Sequence, residues 1–179
     1  MNGQGQVWSR PVAITDVPDE GLHVSIEADS QTREALARTA GLRDLPRLGA
    51  SFDINRKGDN LHIEGEVIAT VGQNCVVTLD PIEKNLCELV DLVFAPQSAG
   101  ALGEDNGEAS LGMTDAEPPE PMVNGVVDLG AIATEYFLLG IDPYPRKDGA
   151  VFEASAHQEP VDSPFAALAA LKKPPLGRK

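Results

Sequence analysis

The sequence predicts an α+β domain: an antiparallel β-meander that closes partly into a barrel, with short helices packed against it. Apolar and polar residues alternate between Leu48 and Pro96, which is the period of half-buried strands. Helix-period patterns with capping residues stand before and after this region. Hydrophobic residues make up 42% of the 179 residues and aromatic residues only 4%, so the core must consist mainly of Val, Leu, Ile and Ala. This length suits one domain with a loop or tail.

The charge of the chain argues against a protein that wraps bare nucleic acid. With 14 Lys and Arg against 28 Asp and Glu, the formal net charge is −14. Proteins that wrap bare nucleic acid need clustered positive charge to displace phosphate counterions. No apolar run approaches the ~20 residues of a membrane-spanning helix, and residues 1–6 lack the basic and apolar pattern of a signal peptide. We therefore expect a cytoplasmic protein without membrane contact.

The N-terminal third is predicted to hold two strands and a helix. Residues 7–17 form an opening strand interrupted at Pro11, which suits an edge strand because proline has no amide hydrogen to donate. Residues 22–26 alternate as a second strand. Asp29 and the serine after it supply N-cap oxygens for a helix over residues 31–40.

Three long strands are predicted in the centre of the chain. Residues 61–73 alternate throughout, after a polar turn at residues 55–60. Asp80-Pro81 forms a turn between the apolar stretches 75–79 and 86–94, which completes an antiparallel meander. Cys75 and Cys87 lie about equally far from that turn and could face each other. Two cysteines are too few for a disulfide framework or a zinc site of their own, so we expect both to be small buried apolar residues.

Residues 98–124 form a predicted acidic loop. The segment carries six acids and no bases, with repeated Gly, Pro, Ala and Ser, so it cannot bury enough apolar surface to become ordered. We predict a disordered loop within a single domain that spans residues 1–179. An interdomain linker is the alternative, but little sequence follows from which to build a second core.

Two more helices are predicted after the loop. Asp128 caps a helix that runs to about residue 139, and one face of it carries Leu129, Ile132, Ala133, Tyr136 and Leu139. A proline-stiffened strap follows at residues 142–146. Ser163-Pro164 starts a last helix, which ends near Lys172 and places Phe165, Leu168 and Leu171 on one face. Residues 165–179 hold four bases and no acids, and they end in a basic tail at 174–179.

Residue patterns for catalysis are absent from the sequence. It contains no phosphate-binding glycine motif and no nucleophile elbow. His23, His62 and His157 are isolated along the chain, and Cys75, Cys87 and His157 lack a metal-ligand spacing. We therefore expect that the protein is not an enzyme and that it binds no metal or other cofactor. A magnesium-dependent hydrolase would have to use Glu64, Glu66 and Asp91, whose alternation with apolar residues is typical of a solvated sheet face.

Glu135 is a carboxylate flanked by apolar residues within a predicted helix. It is either an ordinary exposed helical glutamate or an anchor for an Arg or Lys of a partner.

Three segments together resemble the YceD-like family, the large ribosomal RNA subunit accumulation proteins. Residues 72–82, which include Cys75 and Pro81, stand where the family has its C-x-R-C element and hairpin. Residues 128–139 are similar to the family's acid-capped helix with an internal glutamate, here Glu135. Residues 163–172, which include Pro164, are close to its terminal N/S-P-F-A-x-L-x-x-L-K signature.

The sequence departs from the family pattern at two places. Gly72 and Asn74 replace the first cysteine and the arginine of the C-x-R-C element. Residues 142–146 replace a later His/Cys cluster that some members carry. The resemblance therefore implies a bacterial factor without a metal centre, which supports the synthesis, processing or stability of large-subunit ribosomal RNA.

The acidic charge favours docking on a basic ribosomal protein or a precursor large subunit, with at most weak direct contact to RNA. The expected contact residues are Glu135, Phe165, Leu168, Lys172 and Lys173. The terminal helix packs either on its own sheet or into a groove of the partner. The alternatives are a metal-dependent RNA-processing hydrolase and a protein-binding module unrelated to ribosomes.

Overall fold

The computed structural model describes residues 7–96 and 119–152. Within them lie seven strands and two α-helices: β1 (Pro11–Ala13), β2 (Leu22–Glu27), α1 (Ser30–Thr39), β3 (Asp44–Lys57), β4 (Asn60–Asn74), β5 (Pro81–Pro96), β6 (Glu120–Met122), β7 (Val126–Asp128) and α2 (Leu129–Leu139). A short 3₁₀ turn at Ile14–Asp16 follows β1. None of the helices in these two ranges is long and apolar enough to cross a membrane.

The main sheet has five strands in the order β2-β3-β4-β5-β6. Strands β2 to β5 are antiparallel neighbours, whereas β6 pairs in parallel with the end of β5. This confirms the α+β class and the antiparallel meander. The partial barrel is not confirmed, because β2 and β6 are the two edges of an open sheet among the described strands.

The opening strand is shorter than predicted. Strand β1 begins at Pro11 and pairs only with β7, in a separate two-stranded sheet. The proline therefore starts an edge strand, as expected from its missing amide hydrogen.

The inner face of the sheet forms the core. Alternate residues of the long strands are buried on this face, and Phe52, Leu61, Ile63 and Val67 are fully enclosed. Both α-helices contribute to the same cluster of buried residues, through Leu36 of α1 and several residues of α2. The alternation predicted for residues 61–73 is therefore confirmed, and it separates a buried face from an exposed one.

The first hairpin of the meander is tighter than predicted. Lys57 pairs with Asn60, so that only Gly58 and Asp59 form the turn. Gly58 has φ +64°, a left-handed conformation that glycine adopts without steric cost. The predicted turn at residues 55–60 is too long, because polar residues at an exposed strand end continue the ladder.

Residues 75–79 form a turn, so the prediction of a strand there is wrong. Asn74 is the last residue of β4 and pairs with Pro81, the first of β5. The Cys75 amide donates to the Asp80 carbonyl, and the Val76 amide donates to the Pro145 carbonyl. These amides are therefore bonded within the turn and to a distant segment, and they are not free to extend a ladder.

The cysteine predictions hold for one residue only. Cys75 is buried, as expected. Cys87 lies on β5 opposite Ile68 and is exposed, so it neither faces Cys75 nor belongs to the core.

Helix α2 follows its predicted bounds, with Asp128 as N-cap and Gly140 as C-cap. Its buried face differs in one place from the prediction. Leu129, Ile132, Ala133 and Phe137 are buried, whereas Leu139 is 74% exposed. Phe137 lies one turn after Ala133, so the helical period brings it and not Leu139 to the sheet.

Strand β6 lies within residues 98–124, which were predicted to be an acidic loop; the end of that segment is thus a strand. Residues 97–118 lie outside the described residues. So do His157, the predicted helix at 163–172 and the basic tail at 174–179.

Candidate functional site

The face of the sheet opposite the core carries Glu64, Glu66, Asp91 and two of the histidines, and we call it the outer face. It is formed by alternate residues of strands β2 to β5: His23, Ser25, Glu27, Gly49, Ser51, Asp53, Asn55, His62, Glu64, Glu66, Ile68, Thr70, Asn85, Cys87, Leu89, Asp91 and Val93. Both described α-helices pack on the inner face. The outer face is therefore not covered by either helix.

Three carboxylates form a row across the centre of the outer face. Asp53 pairs in register with Glu64, and Glu64 pairs with Asp91 on the next strand. Their side chains are 68%, 55% and 75% exposed, respectively. Like charges placed directly opposite each other on neighbouring strands destabilise a sheet. A positive charge close to the row would therefore reduce the repulsion among its carboxylates.

Two histidines lie within hydrogen-bonding distance of this row. His23 Nδ1 is 2.7 Å from Asp53 Oδ1, and His62 Nε2 is 2.8 Å from Asp91 Oδ1. The other ring nitrogen of His62 lies 3.8 Å from Glu64 Oε2. The expectation that the histidines are isolated is wrong for these two, because strand pairing brings in partners that are 29 and 30 positions away.

An apolar patch adjoins the carboxylates. Leu89 is opposite Glu66 and 76% exposed, and Val93 is opposite His62 and 38% exposed. Ile68, opposite Cys87, is half-buried next to Leu89, and these two side chains form the apolar patch; Val93 lies apart from them, beyond Asp91. Exposed apolar side chains that are grouped next to charged ones are typical of protein-binding surfaces.

Among strands β2 to β5, the Lys and Arg side chains of this face lie only towards the two ends of β3. Arg47 pairs with Thr70 at one end, and Lys57 pairs with Asn60 at the other. The central carboxylates thus have no Lys or Arg in their own register rows among strands β2 to β5.

The turn between β4 and β5 encloses the Cys75 thiol. Its Sγ accepts the backbone N–H groups of Val77, Thr78 and Lys147, each at 3.4 Å. The Lys147 N–H, followed by the hydrogen bonds from Thr78, lowers the pKa of Cys75 to about 6. The buried sulfur thus holds the turn and the segment around Lys147 together.

The strap, which extends to residue 147, is bound at four points by side chains of β4, β5 and the turn between them. Besides the Cys75 contact, Gln73 Nε2 donates to the Asp142 carbonyl at 2.9 Å. Lys84 Nζ lies 2.9 Å from Asp142 Oδ2, and this hydrogen bond lowers the pKa of Asp142. Lys147 Nζ lies 2.9 Å from Asp80 Oδ2; the contact lowers the pKa of Asp80 and raises the pKa of Lys147.

Gly72 occupies a position with no room for a side chain. A Cβ atom there would collide with the Asp44 carboxylate, whose Oδ1 is buried without a hydrogen-bond partner. The Asp44 carboxylate thus fills the space that a side chain at position 72 would need. A second thiol beside Cys75 is excluded at this position unless Asp44 moves.

The other residues predicted from the sequence do not gather at one site. Pro81 is exposed and starts β5. Glu135 is exposed on α2, a helix of the inner face, and so it does not join the carboxylate row. The remaining predicted positions lie outside the described residues: Pro164, Phe165, Leu168, Lys172 and Lys173.

Two contacts of these sites were not predicted from the sequence. His62 is a hydrogen-bond partner of Asp91, and the Lys147 N–H is a partner of the Cys75 sulfur. Both contacts join parts of the chain that are far apart in sequence. The position of His62 two residues before Glu64, on the same strand face, was the one available signal.

A comparison with known protein families identifies the family of this chain. The model of the family described as "Large ribosomal RNA subunit accumulation protein YceD" matches residues 63–172, which is more than half of the chain. The chain therefore belongs to the YceD family. The match includes most of β4, all of β5 and all of α2. No curated protein and no solved structure matches the chain.

Membership in this family indicates a role in the accumulation of large-subunit ribosomal RNA.

Proposed function

We propose that this chain is a non-enzymatic factor that supports large-subunit ribosomal RNA by docking on a basic ribosomal protein or a precursor large subunit. The outer face is the docking surface. The observation that carries the proposal is the row Asp53, Glu64 and Asp91, which lies exposed beside Leu89.

The sign of the charge selects the kind of partner. Ribosomal RNA is a polyanion, and the carboxylate row repels it, as does the net charge of −14. Lys- and Arg-rich segments of a ribosomal protein complement the row, and complementary potentials accelerate encounter and fix orientation. The RNA is therefore supported through the protein that binds it.

The apolar patch supplies the part of the interface that excludes water. Burial of a large side chain near the centre of an interface usually contributes more than the charges at its rim. Leu89 is opposite Glu66 and precedes Asp91 by two residues on β5, so that a basic and apolar segment could contact both together.

A charge-neutralising variant tests the docking surface. The triple variant Asp53→Asn, Glu64→Gln and Asp91→Asn removes the row without changing side-chain size. A matched control removes three exposed acids elsewhere: Asp19→Asn, Glu20→Gln and Asp148→Asn. Sedimentation with precursor large subunits at low salt is the measurement. We expect the wild type and the control to co-sediment, and the triple variant to remain in the unbound fraction.

Two results would overturn the proposal: a wild-type chain that binds neither precursor particles nor isolated basic ribosomal proteins at low salt, or a triple variant that binds as well as the control.

The cellular role is tested by the ratio of large- to small-subunit ribosomal RNA in a strain depleted of the protein. We expect a selective fall in the large-subunit RNA, which the wild type and the control restore and the triple variant does not. A Glu135→Ala rescue asks separately whether the exposed glutamate of α2 contacts a partner. An unchanged ratio on depletion would favour a protein-binding module unrelated to ribosomes.

A further inference from the structure

We propose that His62, Glu64 and Asp91 form a binding site for a divalent transition-metal cation on the outer face. This inference goes beyond docking and does not rest on it, because it depends only on the three side chains and their register.

The three side chains already converge. Each offers one ligand atom, and the three atoms lie within 4.8 Å of one another. The His62 ring lies beside both carboxylates: Nε2 is 2.8 Å from Asp91 Oδ1, and the other nitrogen, Nδ1, is 3.8 Å from Glu64 Oε2. One of these two nitrogens would be the ligand. Among residues 7–96 and 119–152, this is the one group of three His, Cys, Asp or Glu side chains with such a geometry.

The backbone holds the ligands on rigid elements. Glu64 and Asp91 are a directly opposed pair on two adjacent strands, and at Glu64 β4 is paired on both sides, with Asp53 of β3 and with Asp91 of β5. His62 precedes Glu64 by two residues and therefore projects from the same face. A site built on paired central strands loses little conformational freedom when it binds an ion.

The imidazole distinguishes this group from an ordinary acidic surface. The His62 side chain is only 22% exposed, compared with 59% for His23. It contributes a nitrogen ligand between two carboxylates, while Asp53 adds a third negative charge in register with Glu64. A bound cation would relieve the repulsion among these carboxylates, which no Lys or Arg in their register rows offsets.

The ligand set selects the kind of ion. One nitrogen and two carboxylate oxygens suit zinc, which also accepts a fourth ligand from water or from another molecule. Manganese accepts the same donors more weakly, in line with the general order of divalent affinities. Magnesium prefers oxygen ligands alone and retains much of its water. We therefore expect affinity to fall in the order zinc, manganese, magnesium.

Titration calorimetry with zinc chloride and with manganese chloride tests the site. The chain should carry Cys87→Ser, because this exposed thiol would otherwise compete for zinc. We expect one ion per chain, and an affinity about tenfold or more weaker in each of His62→Asn, Glu64→Gln and Asp91→Asn. His23→Asn is the matched control, since it removes a second outer-face histidine paired with an aspartate but leaves the three ligands. It should bind as the parent does.

A second measurement locates the ion in the folded parent. Manganese broadens nuclear magnetic resonance signals of nearby atoms, so the His62 ring signals should disappear first and those of His23 later. The proposal is overturned if millimolar zinc does not bind. It is also overturned if His23→Asn weakens binding as much as His62→Asn, or if manganese broadens the acidic surface uniformly.

Discussion

The backbone N–H of Lys147 donates to the Sγ of Cys75 at 3.4 Å, although 72 positions separate the two residues. This contact fastens the strap after α2 to the turn between β4 and β5. The side chain of the same lysine binds Asp80 at the end of that turn. Cys75 therefore joins two distant segments of the fold through hydrogen bonds to its sulfur.

The Cys75 contacts predict a pH-dependent contribution to stability. The thiol has its pKa lowered from an ordinary value of 9.0 to about 6, chiefly by the Lys147 N–H. Because the folded-state pKa is the lower one, the unfolded chain binds the extra proton between these two values, and stability rises with pH there. The contribution is complete above pH 9.0 and is lost as pH falls through about 6.

Urea unfolding between pH 6 and pH 9 checks this prediction. The difference in free energy of unfolding between the wild type and Cys75→Ala should grow with pH. The exposed Cys87 serves as control, and Cys87→Ala should follow the wild type. A difference between wild type and Cys75→Ala that stays constant over this range would contradict the lowered pKa.

Asp128 is predicted to be a strong determinant of stability. It caps α2 through Gly130 and Ala131, and it also accepts hydrogen bonds from Ser9 and from the Arg10 N–H. Asp128→Ala should lower the free energy of unfolding by ~1–2 kcal/mol, the usual cost of a lost N-cap. Asp128→Asn should cost less, because an amide oxygen still accepts from the helix. The control Asp19→Ala removes an acid from an exposed turn and should change little.

The contribution of Asp128 to stability is expected to be lost at acidic pH. Burial opposes its ionisation, but the hydrogen bonds from Ser9 and the backbone N–H groups outweigh burial and lower the pKa of Asp128 below its ordinary 3.8. Its stabilising contribution is therefore present above pH 3.8 and is lost as the pH falls through the folded-state value. Thermal unfolding of wild type and Asp128→Asn should converge as the pH is lowered into that range. Curves that stay equally far apart would argue against it.

Leu89 and Leu139 form a matched pair for the apolar part of the docking surface. They are 76% and 74% exposed, and they lie on the outer face and on α2, respectively. Leu89→Ser should weaken sedimentation with precursor particles several-fold, because it removes apolar area next to the carboxylate row. Leu139→Ser should not. Both variants should unfold at the same denaturant concentration as the wild type. Equal binding by the two variants would contradict the proposal that the outer face is the docking surface.

The proposed role predicts that the protein does not cleave RNA. Precursor ribosomal RNA incubated with the purified chain and zinc, manganese or magnesium should stay intact. The His62→Asn variant is the decisive control: metal-dependent cleavage that this variant loses would assign the protein to the hydrolases. Such a result would overturn the non-enzymatic proposal while leaving the metal site itself standing.

Local patterns in the sequence were sufficient for much of the fold. The alternation over residues 61–73 identified β4 and its buried face, because side chains on a strand alternate with a period of two whatever the strand pairs with. Asp29 and Asp128 were recognised as N-caps because each stands directly before a helical pattern of apolar residues. A carboxylate in this position accepts hydrogen bonds from the free backbone N–H groups of the first helical turn. Both expectations depend on neighbours only a few residues away.

The contacts of the candidate site could not be predicted from local sequence patterns. Residues 75–79 are apolar enough for a strand, and they form a turn because the Val76 amide binds the carbonyl of Pro145, far along the chain. His62 looked isolated because its partner Asp91 stands 29 positions later. A shift of one residue between β4 and β5 would turn Asp91 to the other face and separate the pair.

The sequence by itself determined the strands, the caps and the charge of this protein, since each follows from residue type and short-range spacing. The tertiary structure alone decided which acids oppose each other and which histidine lies between them. It also decided that one cysteine is enclosed by the backbone of a distant strap. These contacts depend on strand register and chain crossing, which no local pattern contains.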